Sequence, residues 1–421
     1  MSIQERDKKH IWHPLTQHKT SKDSIGIVKA KGALLWDEHG NEYIDGIASW
    51  YTAMYGHCNE RITSKVTHQM LQLDQVVFTG FTHEPAVELS EKLMKILPKN
   101  QQKIFFNDNG STAVEAGIKM ALQYHFNRGD KRNTLIAFEN GFHGDTFGAM
   151  SVSGLSVYNG PFEDFFLNVE RIPTPTKENL SEVLSRLKVL ISENNCAAFV
   201  YEPLVQGAAG MKFHNAEGLN EILKVCDQNK VITIADEVMT GFGKTGEHFA
   251  SNYISVKPDI MCLSKSLTAG IAAMSITSCS QKIFDAFLDD EISKGFFHAH
   301  TYSANPLTCA AAIAGIDLLT SEEIQRDIKR IEFQHKRFKE KMMRHPKVAS
   351  TRTLGVIFAL DLNVEMERYG DLRNTLFTHF MKQGVFLRPL GNTVYILPPF
   401  VITDEQLEKI YHSIEEVLLL I

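Results

Sequence analysis

Between about residue 60 and residue 300, short apolar runs alternate with amphipathic stretches. The runs are Lys103-Ile-Phe-Phe106, Thr134-Leu-Ile-Ala-Phe138, Ala197-Ala-Phe-Val-Tyr201, Val231-Ile-Thr-Ile-Ala235 and Asp259-Ile-Met-Cys-Leu263. Apolar blocks of this length, bounded by polar residues, suit strands buried on both faces. Residues 111–126, 177–194 and 217–229 instead repeat apolar positions at helical spacing. Strands alternating with helices predict an α/β fold with a parallel sheet covered on both faces.

The flanks read differently. Residues 1 to about 60 mix Trp, Pro, His and Gly with the alternating stretches Ala33-Leu-Leu-Trp-Asp37 and Glu42-Tyr-Ile-Asp45, which predict an arm followed by small strands. After residue 305 come a small-residue helix at 306–320 and a charged helix at 321–344. Strand-like pieces at 355–361 and 393–397 follow, then a closing helix at 403–419. The expected division is an arm and part of a small domain at 1–60, a large α/β domain at 61–305, and a C-terminal small α+β domain at 306–421. No internal repeat or low-complexity linker breaks this pattern.

Composition narrows the function classes. A chain of 421 residues with 43% hydrophobic content can bury a large core plus a second, smaller one. The net charge of −6 leaves no basic footprint for nucleic acid, and no single-sign block suggests a membrane surface. No apolar run approaches the roughly 18 residues of a membrane span. The polar start, Met1 to His10, lacks the apolar stretch of a signal peptide. Cysteines 58, 196, 226, 262, 279 and 309 show neither Cys-x-x-Cys spacing nor a completing His pair. Neither a disulfide framework nor a structural metal is expected, and a reducing cytoplasm is the expected compartment.

Ligands of open parallel sheets bind at the carboxyl ends of the strands, so the residues after each run carry the candidate chemistry. Phe106 is followed by Asn107-Asp-Asn-Gly-Ser-Thr112, and Phe138 by Glu139-Asn-Gly-Phe-His-Gly144. Tyr201 is followed by Glu202-Pro203, Ala235 by Asp236-Glu237, and Leu263 by Ser264-Lys265. One rim thus receives a phosphate-type turn, an aromatic, acids and a lysine. Free amides and the positive dipole end after Asn109 suit a phosphate, although Asn109–Thr112 taken alone reads more simply as an ordinary cap. Asp236 could hold a heteroaromatic ring nitrogen protonated, or cap a helix or join an internal salt bridge. A lysine is usually a solvated charge. One placed directly after Ile-Met-Cys-Leu-Ser, 29 residues beyond Asp236, instead suits a Schiff-base nucleophile whose proton affinity burial lowers. Phe142 could stack on a cofactor ring or pack in the core.

Gly241-Phe-Gly-Lys-Thr-Gly246 fits the dinucleotide fingerprint G-x-G-x-x-G. However, Asp236-Glu-Val-Met-Thr240 separates it from its strand, and no clear helix opens after it. A Walker A loop would need glycine at position 238, where Val238 stands. A glycine-rich turn near a ligand is the better account.

Together these residues resemble the class III aminotransferases, a branch of the fold-type I pyridoxal-phosphate (PLP) enzymes, over essentially the whole chain. The most specific blocks are Asp236-Glu-Val-Met-Thr-Gly-Phe-Gly-Lys-Thr-Gly246 and Leu263-Ser-Lys-Ser-Leu-Thr-Ala-Gly270. Asn107-Asp-Asn-Gly-Ser111, Gly141-Phe-His-Gly-Asp-Thr146 and His298-Ala-His-Thr-Tyr-Ser-Ala-Asn-Pro306 also match. Within the class, His10-Ile-Trp-His-Pro-Leu-Thr-Gln17 and Ser49-Trp-Tyr51 look like the biotin-pathway branch. That branch transfers an amino group to 8-amino-7-oxononanoate, from S-adenosylmethionine or, in some members, lysine.

The resemblance implies a fold-type I architecture: a large parallel-sheet domain with helices on both faces, and a smaller α+β domain built from both termini. It implies a homodimer with shared sites, small-molecule substrates and a two-stage amino-transfer cycle. It assigns Lys265 to covalent attachment of PLP and Asp236 to the pyridine nitrogen. Gly110 and Ser111 would bind phosphate, joined by His300 and Thr301 of the neighbouring subunit. Phe142 would stack on one ring face and Val238 pack on the other. Trp50 would line the substrate pocket, Ala299 would match a backbone contact point, and Arg388 would grip the oxo-acid carboxylate.

Five positions depart from the biotin branch. Leu15 and Phe142 stand where tyrosines are usual, Lys244 where arginine is, Tyr51 where tryptophan is, and Ala299 where glycine is. Missing hydroxyls and a missing guanidinium should alter donor discrimination while leaving the amino-transfer chemistry intact. An ω-aminotransferase acting on another amine or amino acid and a same-fold aminomutase therefore stay open. A cofactor-free binding protein is disfavoured by the intact Asp236 and Lys265.

Overall fold

Seven strands form the central sheet, in the spatial order 101–107, 275–280, 260–263, 232–236, 196–201, 134–138 and 169–172. The computed structural model describes residues 1–156, 159–364 and 370–421. Strand pairing is parallel except where Ser275–Ser280 runs antiparallel to both of its neighbours. The sheet is therefore mixed, where the apolar runs predict a purely parallel one.

Ser275–Ser280 escapes the apolar pattern because it reads Ser-Ile-Thr-Ser-Cys-Ser, yet every one of its residues is buried. Three of its four hydroxyls are satisfied internally, that of Ser280 being the exception among the described residues. Ser275 Oγ donates to the Asn109 carbonyl at 2.5 Å, Thr277 Oγ1 to that of Ala113 at 2.8 Å, and Ser278 Oγ to Gln101 Oε1 at 2.7 Å. Burying a hydroxyl is tolerated when it finds such a partner.

The period-two alternation of strand side chains builds two cores, one on each face. Leu135, Ala137, Ala198, Val200, Ile232, Ile234, Ile260 and Cys262 join the helix Gly110–Asn127. Their neighbours Ile136, Phe138, Phe199, Tyr201, Ala235, Met261 and Leu263 lie in the core that holds Leu187 and Leu219 of the helices Leu180–Glu193 and Ala216–Gln228. Gly117 lets the first helix come close: a Cβ there would lie 3.3 Å from both Cys262 Sγ and Ile234 Cγ2.

Both ends of the chain meet in a smaller sheet. Ile27–Lys31, Leu34–Asp37 and Glu42–Asp45 form an antiparallel set, and Val385–Phe386 adds to it in parallel beside Glu42–Asp45. Val348–Leu354, Ile357–Leu362 and Thr393–Ile396 form a three-stranded antiparallel sheet. The helix Pro306–Leu319 is apolar nearly all round and packs against the helices Glu60–Met70 and Glu84–Ile96. Among the described residues no helix is long and apolar enough to cross a membrane.

Candidate active site

All central strands but Ser275–Ser280 point the same way, so their carboxyl ends share one rim. At the first strand end the helix Gly110–Asn127 begins. Asn109 caps it: its Oδ1 accepts from Thr112 N–H at 3.1 Å and its carbonyl from Ala113 N–H at 3.1 Å. The amides of Gly110 and Ser111 then have no acceptor within the helix, which is the arrangement that receives an anion. A Cβ at Gly110 would come within 2.9 Å of Val238 Cγ1, so this turn and the one after Asp236 close against each other. Ser111 Oγ accepts from Asp145 N–H at 3.2 Å and ties the helix end to the turn that carries Phe142 and His143. Glu115, one helical turn on, holds the same segment by accepting from Thr146 Oγ1, Gly148 N–H and Ala149 N–H at 2.5, 2.7 and 3.1 Å.

Asp236 is buried at the end of its strand. Its Oδ1 accepts from Val238 N–H at 3.0 Å, and Oδ2 lies 2.7 Å from His143 Nδ1. Burial disfavours the charged imidazole, but the hydrogen bond and charge of Asp236, helped by Glu202, outweigh it and raise the proton affinity of His143. Glu202 is buried on the neighbouring strand end and accepts from Phe142 N–H at 3.1 Å and Gly207 N–H at 3.0 Å. Burial pushes its carboxyl up to about 7, against the pull of His143 and with the charge of Asp236 adding. Glu202 thereby fixes the backbone from which the half-exposed ring of Phe142 (45%) projects.

Lys265 follows Leu263 and Ser264 in a left-handed conformation, φ 48°. Burial lowers the proton affinity of its amine, while Asp236 and Glu202 pull it back up. Its Nζ lies 5.0 Å from the centroid of the Tyr51 ring. The Tyr51 hydroxyl donates to Tyr395 Oη at 2.9 Å, and burial raises the proton affinity of both phenols, that of Tyr395 to about 12. The guanidinium of Arg388 sits 5.0 Å from the Trp50 ring centroid. Trp50 keeps 42% of its surface open. Lysine, tyrosines, tryptophan and arginine therefore form one wall of the site.

Lys244 is fully buried, and its Nζ donates to the Gly241 carbonyl at 2.6 Å and to Ser266 Oγ at 2.5 Å. Burial drives its proton affinity well down, and the nearby Lys265 adds to the effect. The glycine-rich turn around it is packed into protein. A Cβ at Gly243, where φ is +88°, would lie 3.0 Å from Ile328 and Leu319. That packing is the physical reason this turn is no nucleotide loop.

Of the residues singled out from sequence, Gly110, Ser111, Phe142, Asp236, Val238 and Lys265 lie on this rim, and Trp50 with Arg388 flanks it. His300 Nδ1 lies 3.7 Å from Asp108 Oδ1, the Thr301 carbonyl accepts from Gln75 Nε2 at 3.0 Å, and Ala299 is exposed. Leu15 is exposed on the N-terminal arm. Sequence reasoning assigned no role to Glu202, Tyr395 or Ser266. Glu202 sits at a strand end and carried a visible signal, whereas the other two did not.

The arrangement fits PLP. An anion-seeking helix end, a buried carboxylate for a ring nitrogen, an open aromatic face and an amine of lowered proton affinity complement its phosphate, pyridine and aldehyde in turn. The buried Nε2 of His143, which has no partner among the described residues, leaves the carboxylate's support free to carry a proton. Comparisons agree. The chain is 40% identical to the adenosylmethionine-8-amino-7-oxononanoate aminotransferase of Synechococcus elongatus, over 97% of this chain and 98% of that protein. It is 35% identical to the enzyme of that name from Geobacter sulfurreducens, over 99% and 97%. A crystal structure of the Methanocaldococcus jannaschii enzyme of that name superposes with a TM-score of 0.92 at 31% identity, covering 98% of each chain. A PLP-bound amine transaminase from an uncultivated Pseudomonas species gives 0.91 at 27% identity, over 97% of this chain and 98% of that one. The family model for class III aminotransferases matches residues 16–418, and the chain belongs to that family of PLP-dependent transaminases.

Proposed function

We propose that this transaminase moves an amino group to 8-amino-7-oxononanoate, giving 7,8-diaminononanoate for biotin biosynthesis, with S-adenosylmethionine or lysine as donor. The observation that carries this reading is near-full-length identity of 32–40% to relatives bearing that enzyme's name. The Arg388–Trp50 wall supports it, since a planar guanidinium beside an open aromatic suits a substrate with a carboxylate on an apolar chain.

PLP, when bound, supplies an aldehyde that captures amines and a ring that draws off electron density. Gly110 and Ser111 would hold its phosphate through the amides at the helix start. Phe142 and Val238 would cover its two faces, and Asp236, backed by His143, would keep the ring nitrogen protonated. Lys265 would hold the group through Nζ. Once displaced by the donor, the same Nζ would take the proton from the donor's amine-bearing carbon. Burial, which lowers its proton affinity, favours the neutral amine that this task needs. Trp50 and Arg388 would orient the acceptor, with Ala299 at the pocket edge.

A homodimer with shared sites belongs to the same proposal, with His300 and Thr301 of one copy completing the phosphate site of the other. Phe297 and Tyr302, beside these residues, are 72% and 64% exposed, and Phe81 is 63% exposed. Apolar surface of that kind favours a protein contact. The boundaries 1–60, 61–305 and 306–421 are proposed as the domain division, with Pro306–Leu319 as the helix joining the two units. A reducing, cytoplasmic location is proposed from six unpaired cysteines, five of them buried.

The test is a two-substrate assay with purified holoenzyme. Product 7,8-diaminononanoate should appear with 8-amino-7-oxononanoate and one of the two donors, and Lys265→Ala should abolish multiple turnover. Amino transfer between other amines and oxo-acids, with no turnover of 8-amino-7-oxononanoate, would move the chain to the ω-aminotransferase reading.

A further inference from the structure

Ala48, Ser49, Trp50 and Tyr51 have φ values of +46°, +46°, +62° and +71°, and none of them is glycine. Tyr51 N–H donates to the Ile47 carbonyl and Thr52 N–H to that of Ala48, each at 2.9 Å, so the segment is one left-handed helical turn. Such a conformation is unfavourable for every L-residue and persists only where its surroundings over-determine it.

Two sets of contacts do so. On the entry side, buried Asp45 accepts from Ile47 N–H at 3.3 Å and Ser49 Oγ at 2.8 Å, and its Oδ2 lies 2.8 Å from His57 Nε2. On the exit side, Ser266 Oγ donates to the Tyr51 carbonyl at 2.7 Å. Ser266 Oγ in turn accepts from Lys244 Nζ at 2.5 Å, and that amine is anchored on the Gly241 carbonyl. A hydroxyl has one proton to give. Because Lys244 donates to Ser266, the hydroxyl keeps its own proton for the Tyr51 carbonyl. Ser266 is also the residue directly after Lys265, so the lysine loop and the strained turn share one tether.

We propose that Ser266, oriented by Lys244, is a positioning residue that fixes the left-handed turn and so places Trp50 against Arg388 and Tyr51 against Lys265. Lys244 acts here through Ser266, turned away from any donor. The proposal rests on the functional reading only in treating Trp50 and Arg388 as substrate-facing.

The experiment uses holoenzyme in which Trp12→Phe and Trp36→Phe leave Trp50 as the single tryptophan of three. In that background Ser266→Ala should shift Trp50 emission to the red without any substrate present. It should raise KM for the oxo-acid roughly five- to tenfold, the size of one lost hydrogen bond, with kcat changed less. It should also lower Tm, because Lys244 loses a buried acceptor. Adding Lys244→Met removes that stranded amine, so Tm should recover while Trp50 emission and KM stay altered. A purely structural role predicts the opposite, with all three returning together. Unchanged emission in Ser266→Ala, or recovery of emission and KM alongside Tm, overturns the proposal. Wild-type enzyme inactive on 8-amino-7-oxononanoate would instead count against the substrate reading and leaves the emission test intact.

Discussion

His143 Nδ1 lies 2.7 Å from Asp236 Oδ2, with both side chains buried and the second ring nitrogen of His143 unpartnered among the described residues. The carboxylate raises the imidazole's proton affinity in the folded state above its usual 6.5. A histidine shifted in this direction stabilises the fold fully below its unfolded value and loses that contribution as pH rises through the raised one. His143→Gln in apoenzyme should therefore cost most near pH 6, on the order of 1–3 kcal/mol, and progressively less toward pH 9. Urea unfolding across that range reads the difference. A gap that widens with rising pH would contradict the assignment.

Glu202 should show the same sense as His143, the reverse of the usual one for a carboxylate. Its carboxyl is raised from 4.5 to about 7, chiefly by burial, so the folded state binds a proton that the unfolded state releases. Stability then falls as pH rises from about 4.5 to about 7. Glu202→Gln should remove this slope from a plot of apoenzyme Tm against pH. The same change weakens the hold on Phe142 N–H, so the affinity for PLP, measured by fluorescence titration, should fall several-fold. A variant that keeps the wild-type slope would show that another group titrates.

Five of the six strands that share one direction carry an apolar block that ends before a polar residue, as with Ala235 before Asp236 and Leu263 before Ser264 and Lys265; the sixth, Val169-Glu-Arg-Ile172, carries none. The rim was legible for that reason. Ser275–Ser280 was not, since its burial depends on acceptors contributed by Gln101, Asn109 and Ala113, far away in sequence. The turn at 48–51 was hidden for a related reason. Positive φ is normally signalled by glycine, and Ala48-Ser-Trp-Tyr51 is held in it by Asp45 and Ser266 instead. Lys244 read as a substituted pocket cation, and only packing reveals that its amine points into Gly241 and Ser266. Local pattern carries the elements. Long-range hydrogen bonds, which carry the strained parts of the site, leave no local trace.

Arg352 joins the strand Val348–Leu354 to the segment at Gly210 and Met211. It donates to the Met211 and Gly210 carbonyls, at 2.6 and 2.5 Å, and to both oxygens of Asp361, at 2.7 and 2.9 Å. Burial works against the Asp361 carboxylate, but hydrogen bonds from Arg352, Ser350 and Thr393 outweigh it and hold its proton affinity below the usual 3.8. That contribution is present above 3.8 and is lost as pH falls through the lowered value. Arg352→Ala should cost roughly 2–4 kcal/mol at neutral pH and raise the midpoint of acid unfolding. Acid titration followed by circular dichroism would detect it, and an unmoved midpoint would show that the pair contributes little.

Arg388 offers the cleanest separation of binding from chemistry. Its guanidinium lies 5.0 Å from the Trp50 ring centroid, and the hydroxyls of Tyr51 and Tyr395 form the buried pair behind that wall. A charge-assisted contact to a substrate carboxylate is worth about 1.5–3 kcal/mol, so Arg388→Ala should raise KM for the oxo-acid roughly 10- to 150-fold. Arg388→Lys should recover part of the loss, because a point charge attracts the carboxylate without the planar two-point fit. Amino donors that lack a carboxylate should be used almost as well as before, since Lys265, Asp236 and the phosphate turn are untouched. Steady-state kinetics with one acid-bearing and one acid-free donor decide the matter. An equal loss for both would show that Arg388 shapes the site as a whole, through Trp50, and does not grip the carboxylate.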